Sequence, residues 1–135
     1  KLDPKLPHTW FNLGIHWKKQ GDAEKALAQF KELVKLAPQE PKAHYNLGAS
    51  YKLAGDNAAA LPGFERAASL DPGLAAARFQ LFNAYRALGR SADAQRSLAE
   101  FQRLKKEQEG AAIPEDVDWC DYAEIYDPSP VVTEV

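Results

Sequence analysis

Two consecutive stretches of the sequence decide the fold. Residues 7–40 read PHTWFNLGIHWKKQGDAEKALAQFKELVKLAPQE, and residues 41–74 read PKAHYNLGASYKLAGDNAAALPGFERAASLDPGL. A shift of 34 residues aligns Trp10, Leu13, Gly14, Trp17, Gly21, Ala26, Phe30 and Pro38 with His44, Leu47, Gly48, Tyr51, Gly55, Ala60, Phe64 and Pro72. A weaker third copy contains Arg78, Leu81, Phe82, Tyr85, Gly89, Ala94, Leu98 and Lys106. A fixed period of this length indicates an array of repeated supersecondary units.

Each repeat is predicted to form a pair of helices. The first signature residues, from Trp10 to Trp17, are separated by three or four positions, which places them on one face of a helix. Gly14 and Gly48 have no side chain, so the partner helix can approach closely at these positions. The helices are expected near residues 8–20, 23–36, 42–54, 57–70, 74–88 and 91–109.

Turn-forming residues mark the ends of these helices. Glycine adopts positive φ at little cost and commonly follows a helix, so we expect Gly21, Gly55 and Gly89 to end the first helix of each pair. Short polar side chains favour the N-cap, and the residues at that place are Asp22, Asp56 and, in the third copy, Ser91.

Two residues depart from the pattern. Pro62 lies several residues inside the helix that Asp56 should start, where proline removes a backbone hydrogen bond, so we expect a kinked or late-starting helix. Phe82 replaces the small residue found at Gly14 and Gly48. The third helix pair should therefore splay apart, or Phe82 should find another packing partner.

The signature positions resemble the tetratricopeptide repeat (TPR), whose pattern W-x2-L-G-x2-Y, A-x3-F and P has the same period. The resemblance covers residues 1 to about 108. It implies an all-α fold: a right-handed α-α superhelix of about three helical hairpins, the TPR solenoid, with a C-terminal capping helix. The segments would be the end of a preceding truncated repeat at 1–6, repeats at 7–40, 41–74 and 75–109, and an acidic C-terminal segment at 110–135.

In such a solenoid the first helix of each pair lines the concave wall. The repeat register places an aromatic ladder there (Phe11, Tyr45, Phe79), directly followed by an amide ladder (Asn12, Asn46, Gln80). Amides both donate and accept hydrogen bonds and can hold the backbone of an extended peptide. The resemblance implies this role for Asn12 and Asn46, with Gln80 as a longer substitute. Further candidate peptide-binding residues are Lys19, Lys42, Lys52, Asn83 and Arg86.

These residues predict a groove for an extended, acidic protein segment, although the ladders could instead serve stability alone. TPR proteins that clamp a chaperone carboxylate use lysine and asparagine, whereas the aligned positions here are Phe11, Ile15, Asn46, Ala76 and Gln80. Only Asn46 fits, which disfavours a chaperone clamp. The alternative function is a structural or self-assembling spacer that joins copies or neighbouring domains, so a homo-oligomer is left open.

Composition and motifs point away from catalysis. The chain has 135 residues, of which 45% are hydrophobic and 27% charged, values that suit one globular domain. No nucleophile with a base, phosphate loop or zinc spacing is present, and Cys120 is the single cysteine. We therefore expect no enzyme activity, no cofactor and no catalytic or metal site. No apolar run approaches a membrane span, and basic residues lie between acids along helices rather than in a stripe for nucleic acid.

Charge divides the chain into a basic body and an acidic end. Up to Lys106 there are 17 basic and 10 acidic residues, whereas 9 acids and no Lys or Arg follow from Glu107 onward. Residues 114–126 are predicted to form a short amphipathic helix with Trp119 and Tyr122 on one side. This segment could cap the third hairpin or lie in the basic groove, in its own chain or in another copy.

The end of the chain also faintly resembles the connector of bacterial proteins in which TPRs precede FG-GAP/UnbV-type modules. That resemblance would make the chain an interaction or spacer module of a larger protein, in the bacterial cytoplasm or exported.

Overall fold

A computed structural model describes residues 7–108, with side chains from residue 9 onward. This part of the chain contains six α-helices and no strand: α1 (Pro7–Lys19), α2 (Ala23–Leu36), α3 (Pro41–Leu53), α4 (Asn57–Leu70), α5 (Ala75–Ala87) and α6 (Ser91–Glu107). The predicted all-α fold is confirmed, and the helix bounds agree with the prediction to within two residues. The predicted helix at 114–126 and the repeat end at 1–6 lie outside the described residues.

The helices form three hairpins whose turns follow the glycine and aspartate pattern. Gly21, Gly55 and Gly89 have φ of 80°, 86° and 78°, the left-handed conformation that glycine tolerates best. The side chain of Asp22 accepts a hydrogen bond from the backbone N–H of Lys25, three residues into the next helix, and that of Asp56 does the same for Ala59. These caps satisfy amides that have no partner inside the helix.

The third hairpin differs from the predicted capping. Arg90, not Ser91, occupies the N-cap of α6, and no side chain there accepts a hydrogen bond from the helix. Arg90 stands 34 residues after Asp56, so the repeat register holds although the residue type has changed. The Arg90 side chain instead pairs with Asp93 in the first turn, at 2.8 Å. The prediction of a Ser91 cap was therefore wrong by one position.

The first two hairpins are held together where glycine meets a phenylalanine. A Cβ added to Gly14 would lie 2.5 Å from the ring of Phe30, and one added to Gly48 would lie 3.0 Å from the ring of Phe64. Both phenylalanines are fully buried. Gly63 of α4 also faces backbone atoms of α3, so the second hairpin has a close-contact glycine on both of its helices.

Helix α4 runs from Asn57 to Leu70 with Pro62 inside it. The expectation of a late start was wrong, because Asp56 caps the helix and Asn57 begins it. Pro62 is exposed, as is Ala58, whose carbonyl loses its helical partner to the proline ring and can be solvated instead. Burial of Ala60 and Phe64 on the opposite side keeps the helix in place.

Phe82 packs against aromatic and cationic neighbours. Its ring centroid lies 6.5 Å from that of Phe79, and the Arg86 guanidinium lies 4.9 Å from the ring centroid. Where α2 and α4 carry phenylalanine at the paired position, α6 has the smaller Leu98. Both neighbours of Phe82 belong to α5 itself, so the splaying of the third helix pair stays a prediction.

Consecutive hairpins contact each other through the same position of each repeat. The Nζ of Lys31 in α2 lies 5.8 Å from the ring centroid of Tyr51 in α3. Thirty-four residues later, Glu65 of α4 accepts a 2.6 Å hydrogen bond from the hydroxyl of Tyr85 in α5. Burial first, and then the hydrogen bond to Glu65 and its charge, raise the pKa of Tyr85 to about 12. This side of α2 and α4 therefore faces the next hairpin.

The corresponding side of α6 is polar. Leu61 and Ala68 lie on the same side of α4 as Glu65 and are buried. The residues 34 positions later are Gln95 and Gln102, both exposed. Among the described residues, α6 thus has a polar outer face where α4 has an apolar one.

Candidate protein-interaction face

The first helices of the three hairpins, α1, α3 and α5, carry basic residues and no acidic ones. They contain six Lys and Arg residues and no Asp or Glu, whereas the second helices α2, α4 and α6 mix eight basic with six acidic residues. Arg78 lines a cleft between α5 and α6. The other five cations, the three ladder amides and Asn83 define what we call the inner face: Asn12, Lys18, Lys19, Lys42, Asn46, Lys52, Gln80, Asn83 and Arg86.

Two equivalent hydrogen bonds join the first helices along the inner face. Lys18 of α1 donates from Nζ to Oδ1 of Asn46 in α3 at 2.8 Å, and Lys52 of α3 donates to Oε1 of Gln80 in α5, also at 2.8 Å. Both bonds span 28 residues, and both donors and both acceptors are related by the 34-residue period. Each lysine is thereby held against the following repeat.

The amide ladder is more deeply placed than the sequence predicts. Asn46 is completely buried and Gln80 is 5% exposed. The Nδ2 of Asn46 donates to the backbone carbonyl of Lys42 at 3.0 Å, and Nε2 of Gln80 points to the Tyr45 hydroxyl at 3.4 Å. The expected freely offered amides are thus found only at Asn12, which is exposed, while Asn83 is half-buried and contacts Arg86 at 3.4 Å.

The aromatic ladder also lies largely in the core. Phe11 and Tyr45 are buried, at 1% and 2% exposure, and their rings contact Phe30 and Phe64 of the second helices at centroid distances of 6.4 and 5.4 Å. Phe79 is half-buried and packs against Phe101 at 5.1 Å. The repeat register predicts that these three aromatic residues contact a ligand. For Phe11 and Tyr45, however, packing in the core is enough to explain why the position is aromatic. A role in peptide binding stays a prediction for these residues.

The cations are the accessible part of the inner face. Lys19, Lys52 and Arg86 are exposed, and Lys42 is half-buried at the start of α3. Sequence reasoning missed Lys18, although the signal was present, because Lys18, Lys52 and Arg86 occupy the same position in three consecutive repeats. The structure brings Lys18 and Lys52 into a file that Arg86 continues.

Family comparisons agree with this geometry. Residues 18–55 match the model of the TPR repeat, and residues 41–74 match that of the tetratricopeptide repeat. The chain contains tetratricopeptide repeats. No curated protein matches it.

Solved TPR-containing structures share the architecture. A crystal structure of MamA superposes with a TM-score of 0.74 at 25% identity over 77% of this chain. A second crystal structure of MamA gives 0.72 at 22% identity over 84%. The TPR2B domain of yeast Sti1, in a pHsp70 complex, gives 0.72 at 20% identity and covers 75% of this chain and 81% of that domain. This chain spans 61% of the first MamA chain and 63% of the second.

The described residues form a TPR helical-hairpin solenoid, an architecture that serves generally as a non-catalytic scaffold for protein interactions. Within residues 7–108, every helix is too short or too polar to cross a lipid bilayer. The side chains described form no group of three or more His, Cys, Asp and Glu residues that could hold a metal ion.

Proposed function

We propose that the inner face binds an extended acidic segment of a protein. The observation that carries this proposal is the charge of α1, α3 and α5, which hold no acidic residue and six basic ones, five of them on the inner face. The second helices mix both signs, so the asymmetry belongs to one set of helices. A surface of a single sign raises the local concentration of oppositely charged ligands and disfavours ligands of like charge.

The buried amides position the cations for this task. Asn46 and Gln80 fix the ammonium groups of Lys18 and Lys52 by 2.8 Å hydrogen bonds, so less side-chain entropy is lost when a carboxylate arrives. An ammonium group has three N–H donors, so exposed Lys52 can donate to a ligand carboxylate as well as to Gln80. In this account the amide ladder orients lysines that contact the ligand, while exposed Asn12 and half-buried Asn83 are the amides that reach its backbone.

Self-assembly through the end of the array is less well supported. Copies stacked onto α6 would have to cover Gln95 and Gln102, whereas the equivalent residues of α4 that meet the next hairpin are Leu61 and Ala68. Burial of two glutamine side chains without hydrogen-bond partners makes the free energy of association less favourable. The polar side of α6 therefore favours a scaffold with a ligand on its inner face over an end-to-end spacer.

Matched charge variants test the proposal. The probe is a peptide of about ten alternating Glu and Tyr residues with blocked ends, and its affinity is measured by fluorescence anisotropy. The double variant Lys52→Gln/Arg86→Gln should bind about tenfold more weakly, because exposed ion pairs contribute up to about 1 kcal/mol each. The control, Arg66→Gln/Lys105→Gln, removes the same charge from exposed sites on second helices. Equal loss in both variants would show that only net charge matters and would refute an inner-face site.

A further inference from the structure

The last 27 residues complement the inner face in charge. Residues 109–135, which we call the acidic tail, contain eight acidic residues and no Lys, Arg or His. Helices α1, α3 and α5 show the reverse composition, because they contain Lys and Arg but no Asp or Glu. Within one chain, the three helices without acids and the segment without bases are therefore complementary in charge.

The chain leaves α6 at a place from which the inner face is within reach. Gln108, the residue before the acidic tail, donates from Nε2 to the backbone carbonyl of Gly73 at 2.9 Å. Gly73 lies in the connection between α4 and α5, two residues before α5 begins at Ala75. The tail thus starts beside the first turn of a helix of the inner face. Twenty-seven residues reach about 90 Å when extended, far more than three helices packed about 10 Å apart require.

We propose that the acidic tail binds the inner face of its own chain and competes there with acidic segments of other proteins. This inference rests on the proposed function, since it uses the same cations. A tethered ligand acts at an effective concentration in the millimolar range, so the tail can occupy the inner face although each of its contacts is weak. A partner must then displace the tail, which makes binding selective for ligands stronger than the tail.

The alternative position of the tail is a cap on the third hairpin, where Phe82 and Phe101 are half-buried. The two positions are distinguishable because they place the tail near different amides. Cys120 provides the means, since it is the single cysteine of the chain and lies in the middle of the acidic tail. A nitroxide spin label on Cys120 broadens the NMR signals of nearby backbone amides without any substitution.

The experiment uses the full chain labelled with nitroxide at Cys120. We expect broadening of amides on α1 and α3, such as Lys19 and Lys52, with little effect on exposed Ala28 and Arg66 of the second helices. About 1 M salt, where the screening length is about 3 Å, should abolish the broadening. Broadening confined to α5 and α6 would establish the cap and overturn the proposal. A second sample mixes isotope-labelled chains that carry no nitroxide with nitroxide-labelled chains that carry no isotope. Broadening in this sample would also overturn the proposal, because the contact would then join two copies.

A charge-neutral tail supplies the matched control. Its acids are replaced by the corresponding amides at Glu109, Glu115, Asp116, Asp118, Asp121, Glu124, Asp127 and Glu134. This variant should lose the broadening, and its affinity for the Glu–Tyr peptide should be at least about tenfold higher than that of the unmodified chain. Unchanged broadening would overturn the proposal. If the full chain shows no inner-face broadening yet both forms bind the peptide equally, the tail proposal fails and the proposed function stands. If neither form binds it, the proposed function fails.

Discussion

Replacement of Gly63 by alanine tests whether close backbone contact holds the second hairpin. A Cβ at this position would lie 2.7 Å from the carbonyl oxygen of His44, and 3.0 and 3.1 Å from the backbone N and Cα of Gly48. All three atoms belong to the backbone of α3, so no side chain can rotate to make room. Helices α3 and α4 must separate by several tenths of an ångström to restore an ordinary contact.

The expected loss of stability follows from two opposing effects. Alanine in a helix interior is favoured over glycine by about 1 kcal/mol. Overpacking a well-packed contact costs about 1–3 kcal/mol, and contact with rigid backbone lies at the upper end of that range. The net destabilisation should therefore be about 2 kcal/mol. For a domain of this size it corresponds to a decrease in melting temperature of about 10 °C.

Thermal unfolding followed by circular dichroism measures this change. Gly73→Ala is the matched control. Within residues 7–108, its new Cβ would meet only the Asp71 carboxylate within 4 Å, at 3.6 Å, so stability should change by less than about 0.5 kcal/mol. A Gly63→Ala protein as stable as the unmodified chain would refute the close approach of α3 and α4.

Three further substitutions test local features. Pro62→Ala restores a helical N–H at an exposed site and should raise the unfolding free energy by about 1–2 kcal/mol in urea denaturation; a decrease would contradict the strained helix. Asp56→Ala removes the cap on Ala59 and should cost about 1 kcal/mol in the same assay, whereas no loss would show the cap to be dispensable. Glu65→Gln should lower the pKa of Tyr85 from about 12 toward 10 in a phenolate absorbance titration. Because burial and the Glu65 contact together make the folded pKa the higher one, the stability linked to the neutral Tyr85 phenol is complete below about pH 10 and is lost toward pH 12. An unchanged titration would exclude Glu65 as a cause.

The arrangement of the helices could be predicted because it depends on residues with special backbone requirements. Gly21, Gly55 and Gly89 adopt positive φ, and Asp22 and Asp56 cap helices, so each boundary follows from local chemistry. The same reasoning failed at the third hairpin, where Arg90 stands at a cap position without capping. There the register was a better guide than the residue type.

The depth of the inner-face residues could not be predicted. The register assigns Asn46 and Gln80 to a face of a helix, but their burial depends on how closely the next first helix approaches, which is a tertiary property. Lysines 28 residues earlier in the chain make these amides part of the packing between repeats. The recurrence of Lys18, Lys52 and Arg86 was visible in the sequence and could have identified the cation file.

The most direct test of the inner face as a binding site is an NMR titration of the charge-neutral-tail protein with the Glu–Tyr peptide. Amide shifts should concentrate on α1, α3 and α5, around Lys19, Lys52 and Asn83, and the affinity should fall steeply as salt is raised. Shifts centred on α2, α4 or α6, or an affinity that is indifferent to salt, would contradict the account.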